Sequence, residues 1–295
     1  MRIRWDWLQP VMTAPYVPTL GPAHPQAIAA QLFADAVEIT GTGRFLPYDK
    51  DRRWAASKDE YVLAGDIAQQ PGLVLVPTFS SGSRAVKVHI YSDRPHDALG
   101  RAARLAGRLS ASHAAKRSRL VWFLPPGSTP GPGVACTRIQ MRTFSPGHQR
   151  LASDTGPGLV VPLDDVPAPV RATFSLFAEK LAADGFAFLD IRIRQGGVGP
   201  VLTCVRDGQF VGAIGPMEIM PDSRGVSRLL PQYFGILPEY RGHGFGRALW
   251  QAAMHWGQQH QAAFQLLQTE VNGASDRLCQ SEGLTDLGLV CTSTA

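Results

Sequence analysis

The stretch "GILPEYRGHGFGRALW", Gly235 to Trp250, sets three glycines, Gly242, Gly244 and Gly246, in five positions, directly after Arg241 and directly before a helix-like run. Glycines between a strand and a helix let backbone N–H groups converge on an anion at the positive end of the helix dipole. Three loops of that kind compete: a nucleotide-dehydrogenase loop, a G-x-G-x-G methyltransferase loop for S-adenosylmethionine, and an R-x-x-G-x-G pyrophosphate loop for coenzyme A. A tight strand-to-helix turn with no ligand is the plain alternative.

The neighbouring sequence separates them. Upstream, "LVVPL" reads as a short strand and "APVRATFSLFAEKLAADG" as one helix ending at Gly185, with Phe174, Phe177 and Leu181 at helical spacing. Two strands then flank Asp207-Gly208, a hairpin signal, and "LLPQYFGIL" is the strand that enters the loop. After the loop, Phe245, Leu249, Ala252 and Trp256 step along a helix, "AFQLLQTEV" is a strand, and "GASDRLCQSEG" is a short helix stopped by Gly283. The order predicts an α+β fold. A dehydrogenase fingerprint needs G-x-G-x-x-G, which this spacing is not. A methyltransferase loop opens a doubly wound parallel sheet, and the 49 residues after Gly246 cannot build one. The coenzyme A loop belongs late in a small α+β fold, as here.

On these residues the second part of the chain, 149–295, resembles the GNAT superfamily of acyl-CoA-dependent N-acetyltransferases. "LPEYRGHGFGRAL" is similar to the family's pyrophosphate motif, and "VNGASDRLCQSEGL" to its asparagine segment. The resemblance implies a mixed, mainly antiparallel sheet flanked by helices and acetyl-CoA as co-substrate. It further implies that Arg241, Gly242, His243, Gly244, Phe245, Gly246 and Arg247 hold the pyrophosphate. Backbone groups of Phe234, Gly235 and Ile236, on a splayed strand, would meet pantetheine and polarise the thioester, with Asn272 facing pantetheine from the next strand.

Acyl transfer to an amine needs a base for the ammonium, a polarised carbonyl and an acid for the departing thiolate. The strand "RLLPQYFGIL" carries no Asp, Glu or His, so Glu218, on the neighbouring strand "AIGPMEI", is the candidate base, acting through a water. The family's tyrosine acid stands seven residues after the asparagine. Here that position is Cys279, with Tyr233 or solvent as substitutes. His255 and His260 are five apart and miss the i,i+4 pairing of a zinc site, so no metal is expected.

The 295 residues imply two domains, read as 1–148 and 149–295 with the linker in "PGHQRLASDTGPG", Pro146 to Gly158. The first 150 residues carry 19 Lys and Arg against 10 Asp and Glu, the remainder 10 against 14. The basic residues are not interleaved with aromatics, so nucleic acid is not expected, and Arg101, Arg104 and Arg108 read as a solvated helix face. The first half repeats part of the second half's order and reads as a degenerate, non-catalytic GNAT-like domain. At its loop position "SDRPHDALG", Pro95 lacks an N–H and Asp93 and Asp97 oppose a pyrophosphate.

Cys136, Cys204, Cys279 and Cys291 are far apart and read as free thiols of a reducing compartment. "MRIRWDWLQPVM" lacks a signal-peptide core and no apolar run reaches membrane-spanning length, so a cytoplasmic protein without a membrane partner is expected. The resemblance points to a small-molecule amine as acceptor, in antibiotic or secondary metabolism or self-resistance, and leaves room for a homodimer. The rival reading is a non-catalytic acyl-CoA sensor.

Overall fold

The structure, a computed structural model, describes residues 13–144 and 160–295. The expected linker and the N-terminal stretch through Met12 lie outside the described residues. The first half runs β1 (Tyr16–Val17), β2 (Gly21–Pro22), α1 (Ala29–Glu38), β3 (Glu60–Val62), β4 (Ala68–Gln70), β5 (Leu73–Ser80), β6 (Ala85–Ser92), α2 (Pro95–Ser112), β7 (Arg117–Leu124) and β8 (Ala135–Thr143). There follow β9 (Val161–Pro162), α3 (Ala168–Arg171), α4 (Phe174–Lys180), α5 (Phe186–Gln195), β10 (Leu202–Arg206), β11 (Gln209–Gly215) and β12 (Ile219–Pro221). The chain ends with β13 (Ser227–Leu229), β14 (Tyr233–Ile236), α6 (Phe245–Gln259), β15 (Phe264–Glu270), α7 (Ala274–Ser281) and β16 (Thr285–Thr294). This is the expected α+β layout.

The elements gather into two compact units, each assembled from separate stretches of the chain. Unit 1 holds the described residues up to Arg142 together with Pro221–Val226 and Leu266–Ala295; unit 2 holds those of Thr143–Met220 together with Ser227–Gln265.

In unit 1, β6 and β7 pair in parallel from Ala85↔Arg117 to Ile90↔Trp122, joined by α2. The apolar stripe of α2, Ala98, Ala102, Leu105, Ala106 and Leu109, packs on Val86, Val88, Ile90 and Trp122, while Arg101, Arg104 and Arg108 face solvent as their spacing predicts. The closing strand β16, absent from the sequence reading, is antiparallel to β7 on one side and to β8 on the other. It brings Cys291 opposite Cys136, and the two form a disulfide across 155 residues. The free-thiol expectation is thus corrected for that pair, because only the strand register makes them neighbours. Cys204 and Cys279 are free and buried.

Unit 2 carries the sheet order β14-β11-β10-β9. Asp207 and Gly208 both take positive φ, 50° and 73°, and close the β10–β11 hairpin as expected. Two readings are corrected. The single helix expected over 168–185 is broken at Ala172–Thr173, while Gly185 (φ 87°) ends its last turn as expected and at the same time starts a further helix, α5. The strand expected over "LLPQYFGIL" is two strands: β13 pairs in parallel with β15 at Arg228↔Phe264 and Leu229↔Gln265, whereas β14 pairs antiparallel with β11. Pro231 sits at the break, where its missing N–H cannot serve a ladder.

Candidate active site

The strand break shapes the site in unit 2. Gln265, fully buried on β15, donates from Nε2 to Gln232 Oε1 at 2.7 Å, and Gln232 donates in turn to the Leu230 carbonyl. These bonds hold the chain where it leaves one sheet for the other. On β14, Leu237 N–H donates to the Val211 carbonyl of β11 at 2.9 Å. Alternate residues of a strand direct their backbone groups to the same side, so the N–H and C=O of Phe234 and Ile236 face the other edge. Among the described residues no strand pairs with that edge. Gly235 lies between them, and a Cβ there would come within 2.9 Å of Phe186 and Leu181.

The quoted loop follows. Arg241 Nε donates to the Ile236 carbonyl at 3.1 Å, tying the loop to the end of β14. Gly242 (φ 82°) and Gly244 (φ 85°) are left-handed and exposed, and a Cβ at either would meet nothing within 4 Å. His243 is exposed, with Nδ1 3.0 Å from the Arg241 carbonyl. Gly244 is the N-cap of α6 and supplies no side-chain cap; the first bond of this turn runs from Ala248 N–H to the Gly244 carbonyl at 3.0 Å. The N–H groups of Phe245 and Gly246 precede that bond and have no intrahelical acceptor. Phe245 is buried and anchors the helix start. The buried face of α6 runs through Phe245, Leu249, Ala253 and Gly257, so Ala252 and Trp256, expected on it, lie to its side. Open space above two left-handed glycines and a helix N-terminus without a side-chain cap leave room and backbone donors for an anion.

Glu218 lies in the connection between β11 and β12, and its carbonyl accepts from Leu230 N–H at 2.9 Å. The candidate base is therefore fastened beside the strand break. Tyr233 opens β14 against Gly185, where a Cβ would come 2.4 Å from its ring, and its ring lies 6.4 and 6.2 Å from those of Phe186 and Phe188.

Asn272 and Cys279 belong to unit 1. Asn272 is exposed in the left-handed region (φ 63°) ahead of α7. Cys279, 2% exposed on α7, has its thiol pushed up to about 12, first by burial and then by Asp276 and Glu282. A thiol so held stays protonated at neutral pH and gives up its proton reluctantly. The sequence reading missed Asp276, a fully buried carboxylate whose donors include Arg138 and Gln140 from the first half of the chain. Its only trace in the sequence is an acidic residue in the first turn of a short helix. Among the described residues no cluster of His, Cys, Asp and Glu could hold a metal ion, and no helix is long and apolar enough to cross a membrane.

A family model described as Acetyltransferase (GNAT) family matches residues 170–283. This part of the chain is a GNAT acetyltransferase domain. Among solved structures, the chain is similar to a GCN5-related N-acetyltransferase from Sphaerobacter thermophilus, at 14% identity and TM-score 0.50, over 92% of this chain and 87% of that one. It is also similar to a tandem GNAT protein from the clavulanic acid biosynthesis pathway, at 15% identity and TM-score 0.42, over 75% and 78%. A functionally unknown conserved protein from Staphylococcus epidermidis shares 8% identity at TM-score 0.49, over 85% and 98%. No curated protein matches the sequence. At 14% identity the likeness to the Sphaerobacter thermophilus structure is one of fold.

Proposed function

We propose that the protein is a cytoplasmic acetyl-CoA-dependent N-acetyltransferase acting on a small-molecule amine, an acceptor of antibiotic or secondary metabolism in the first instance. The observation that carries the reading is the uncapped N-terminus of α6 with its two left-handed glycines, placed after a strand whose outer edge is open. The loop from Arg241 to Arg247 binds pyrophosphate, and Phe234 to Ile236 engage pantetheine through the backbone. The co-substrate supplies an activated acyl thioester. Glu218 takes the ammonium proton through a water, and proton return to the thiolate falls to Cys279, Tyr233 or solvent.

Residues 1–148 are the non-catalytic part in this proposal, and their sheet supports that role. β6 and β7 stay paired over six positions, whereas β13 and β15 part after two, so the first half lacks the divergence that frees a strand edge. One specific observation favours the acyl-CoA sensor instead: the Cys279 thiol, at about 12, is a poor acid. Thiol release over a panel of amines with acetyl-CoA separates the two. Steady turnover with any amine supports the enzyme; tight binding of one acetyl-CoA per chain without turnover supports the sensor.

A further inference from the structure

The connection from α5 to β10 passes through Gly196, Gly197 and Gly199, all within unit 2. Gly196 (φ 77°) and Gly197 (φ 79°) are exposed and left-handed, and a Cβ at either would meet nothing within 4 Å. Gly199 differs from both. Its φ lies outside the left-handed region, so its conformation does not ask for glycine. Yet a Cβ there would overlap the Met217 carbonyl oxygen and stand 3.0 Å from Glu218 Cγ. Glycine at this position is demanded by space alone, and the space is occupied by Glu218 and the peptide before it.

The contact extends to either side. Met217 N–H donates to the Pro200 carbonyl at 2.7 Å. A Cβ on Gly215 would come 2.9 Å from Val201 Cα and 3.2 Å from the Pro200 carbonyl oxygen, so a second glycine lets the same two stretches close on each other. From the opposite direction, Leu230 N–H reaches the Glu218 carbonyl at 2.9 Å. The backbone at Glu218 is thus clasped between residues 199–201 and the strand break, with Met217 buried and Glu218 half-buried.

We propose that Gly199 is a positioning residue for Glu218. Lacking a side chain, it lets the α5–β10 connection lie directly on Cγ of the base and on the preceding peptide, and so sets where the carboxylate stands. The proton relay makes that placement matter: the ammonium gives a proton to a water and the water gives one to the carboxylate, each step across about 2.6–3.2 Å between heavy atoms. Displacing a reacting group by about 1 Å costs on the order of a hundredfold in rate. The inference rests on the reading of Glu218 as the base. It gives a part in the chemistry to a connection that carries no acidic or nucleophilic side chain of its own.

The test compares Gly199→Ala with Gly197→Ala in the full chain. Thiol release from acetyl-CoA is followed against pH with whichever of propylamine, tyramine, lysine and glucosamine the wild-type chain turns over fastest; coenzyme A affinity and thermal midpoints are measured alongside. Gly197→Ala strains a left-handed residue of the same connection without meeting Glu218, so it should lower the midpoint and leave kcat unchanged. Gly199→Ala should lower kcat by about tenfold to a hundredfold and shift the acidic limb of the pH–rate profile, with KM for acetyl-CoA and coenzyme A affinity near wild type. In the Glu218→Gln background it should change kcat by almost nothing. Glu218→Asp, which draws the carboxylate back by one methylene, serves if Gly199→Ala does not fold, and the same pattern is expected of it. Wild-type kcat in a folded Gly199→Ala or in Glu218→Asp, an equal loss in Gly197→Ala, or additivity with Glu218→Gln overturns the inference alone. Unchanged kcat in Glu218→Gln, or no thiol release by the wild-type chain with any of the four amines, overturns the reading of the base and this inference together.

Discussion

Replacing Gly244 by Asp puts a carboxylate at the mouth of the loop, where the structure leaves a side chain open space. Because a Cβ meets nothing within 4 Å, packing in the free protein does not oppose the change. Asp also tolerates the left-handed φ of 85° better than most residues, so the fold should lose only about 1 kcal/mol. The effect on a pyrophosphate is larger. Two unit charges about 4 Å apart repel by about 1 kcal/mol in bulk water and about 4 kcal/mol near a protein surface. Two phosphate charges therefore weaken coenzyme A binding by about 2 kcal/mol at the least, roughly thirtyfold. Gly244→Asn, equal in shape and uncharged, should lose far less, and the gap between the two variants should shrink in high salt. Gly107→Ala on α2, away from the loop, is the internal control. Its Cβ would meet nothing within 4 Å, and Ala gains up to about 1 kcal/mol in a helix, so affinity should hold while the thermal midpoint holds or rises. Titration calorimetry at two ionic strengths decides the matter. Wild-type affinity in Gly244→Asp, or an equal loss in Gly244→Asn with no salt dependence, would refute the assignment of this loop to an anion.

Four further outcomes follow, three from single side chains and one from the disulfide. Glu218→Gln should lower kcat well over tenfold with acetyl-CoA affinity nearly unchanged, and should remove the acidic limb of the pH–rate profile; an unaltered kcat would return Glu218 to a purely structural place beside Leu230. Cys279→Ala should cost about 1–2 kcal/mol of stability with kcat nearly intact if the buried thiol only packs, and a clear loss of kcat would instead mark it as the acid. His89, 3% exposed with its Nδ1 at the Val76 carbonyl, is pushed down to about 4, chiefly by burial. The unfolded chain takes up that proton first, so stability present above about pH 6.5 should fall by about 3 kcal/mol as the pH drops towards 4, and a His89→Gln variant should show a flatter melting curve against pH there. The Cys136–Cys291 bridge closes a span of 155 residues, for which loop-closure entropy allows up to about 5 kcal/mol; reduction should lower the thermal midpoint by several degrees, and an unchanged midpoint would mean that the strand register alone holds β16.

What could be read from the sequence was local. The R-x-x-G-x-G spacing needs only the residues from Arg241 to Gly246, the hairpin only Asp207 and Gly208, and the arginine face of α2 only its helical period. Each is decided within a turn or two of chain. What could not be read depends on partners far apart. "LLPQYFGIL" reads as one apolar strand until β11 and β15 claim its two ends, and nothing within it tells that Pro231 marks a change of sheet rather than a strand edge. Cys136 and Cys291 become neighbours only through the register of β16. The helix expected over 168–185 failed for a different reason: its apolar period is real, since Phe174, Phe177 and Leu181 are all buried, but one core is lined by two successive short helices rather than by one.

Asp276 joins the two kinds of information. Its position four residues after Asn272 is visible in "NGASD", but its burial, and hence its need for a cation and several donors, is not. A lone carboxylate in such a place would cost several kcal/mol. The compensating Arg138 lies 138 residues earlier, on a strand that composition alone marks merely as basic. The excess of Lys and Arg in the first 150 residues reads as a general attraction for anions, yet at Arg138 the positive charge serves an internal carboxylate behind the asparagine segment. Through Arg138 and Gln140 on β8, the first half of the sequence fixes Asp276 and, through Asp276, the backbone N–H of Asn272.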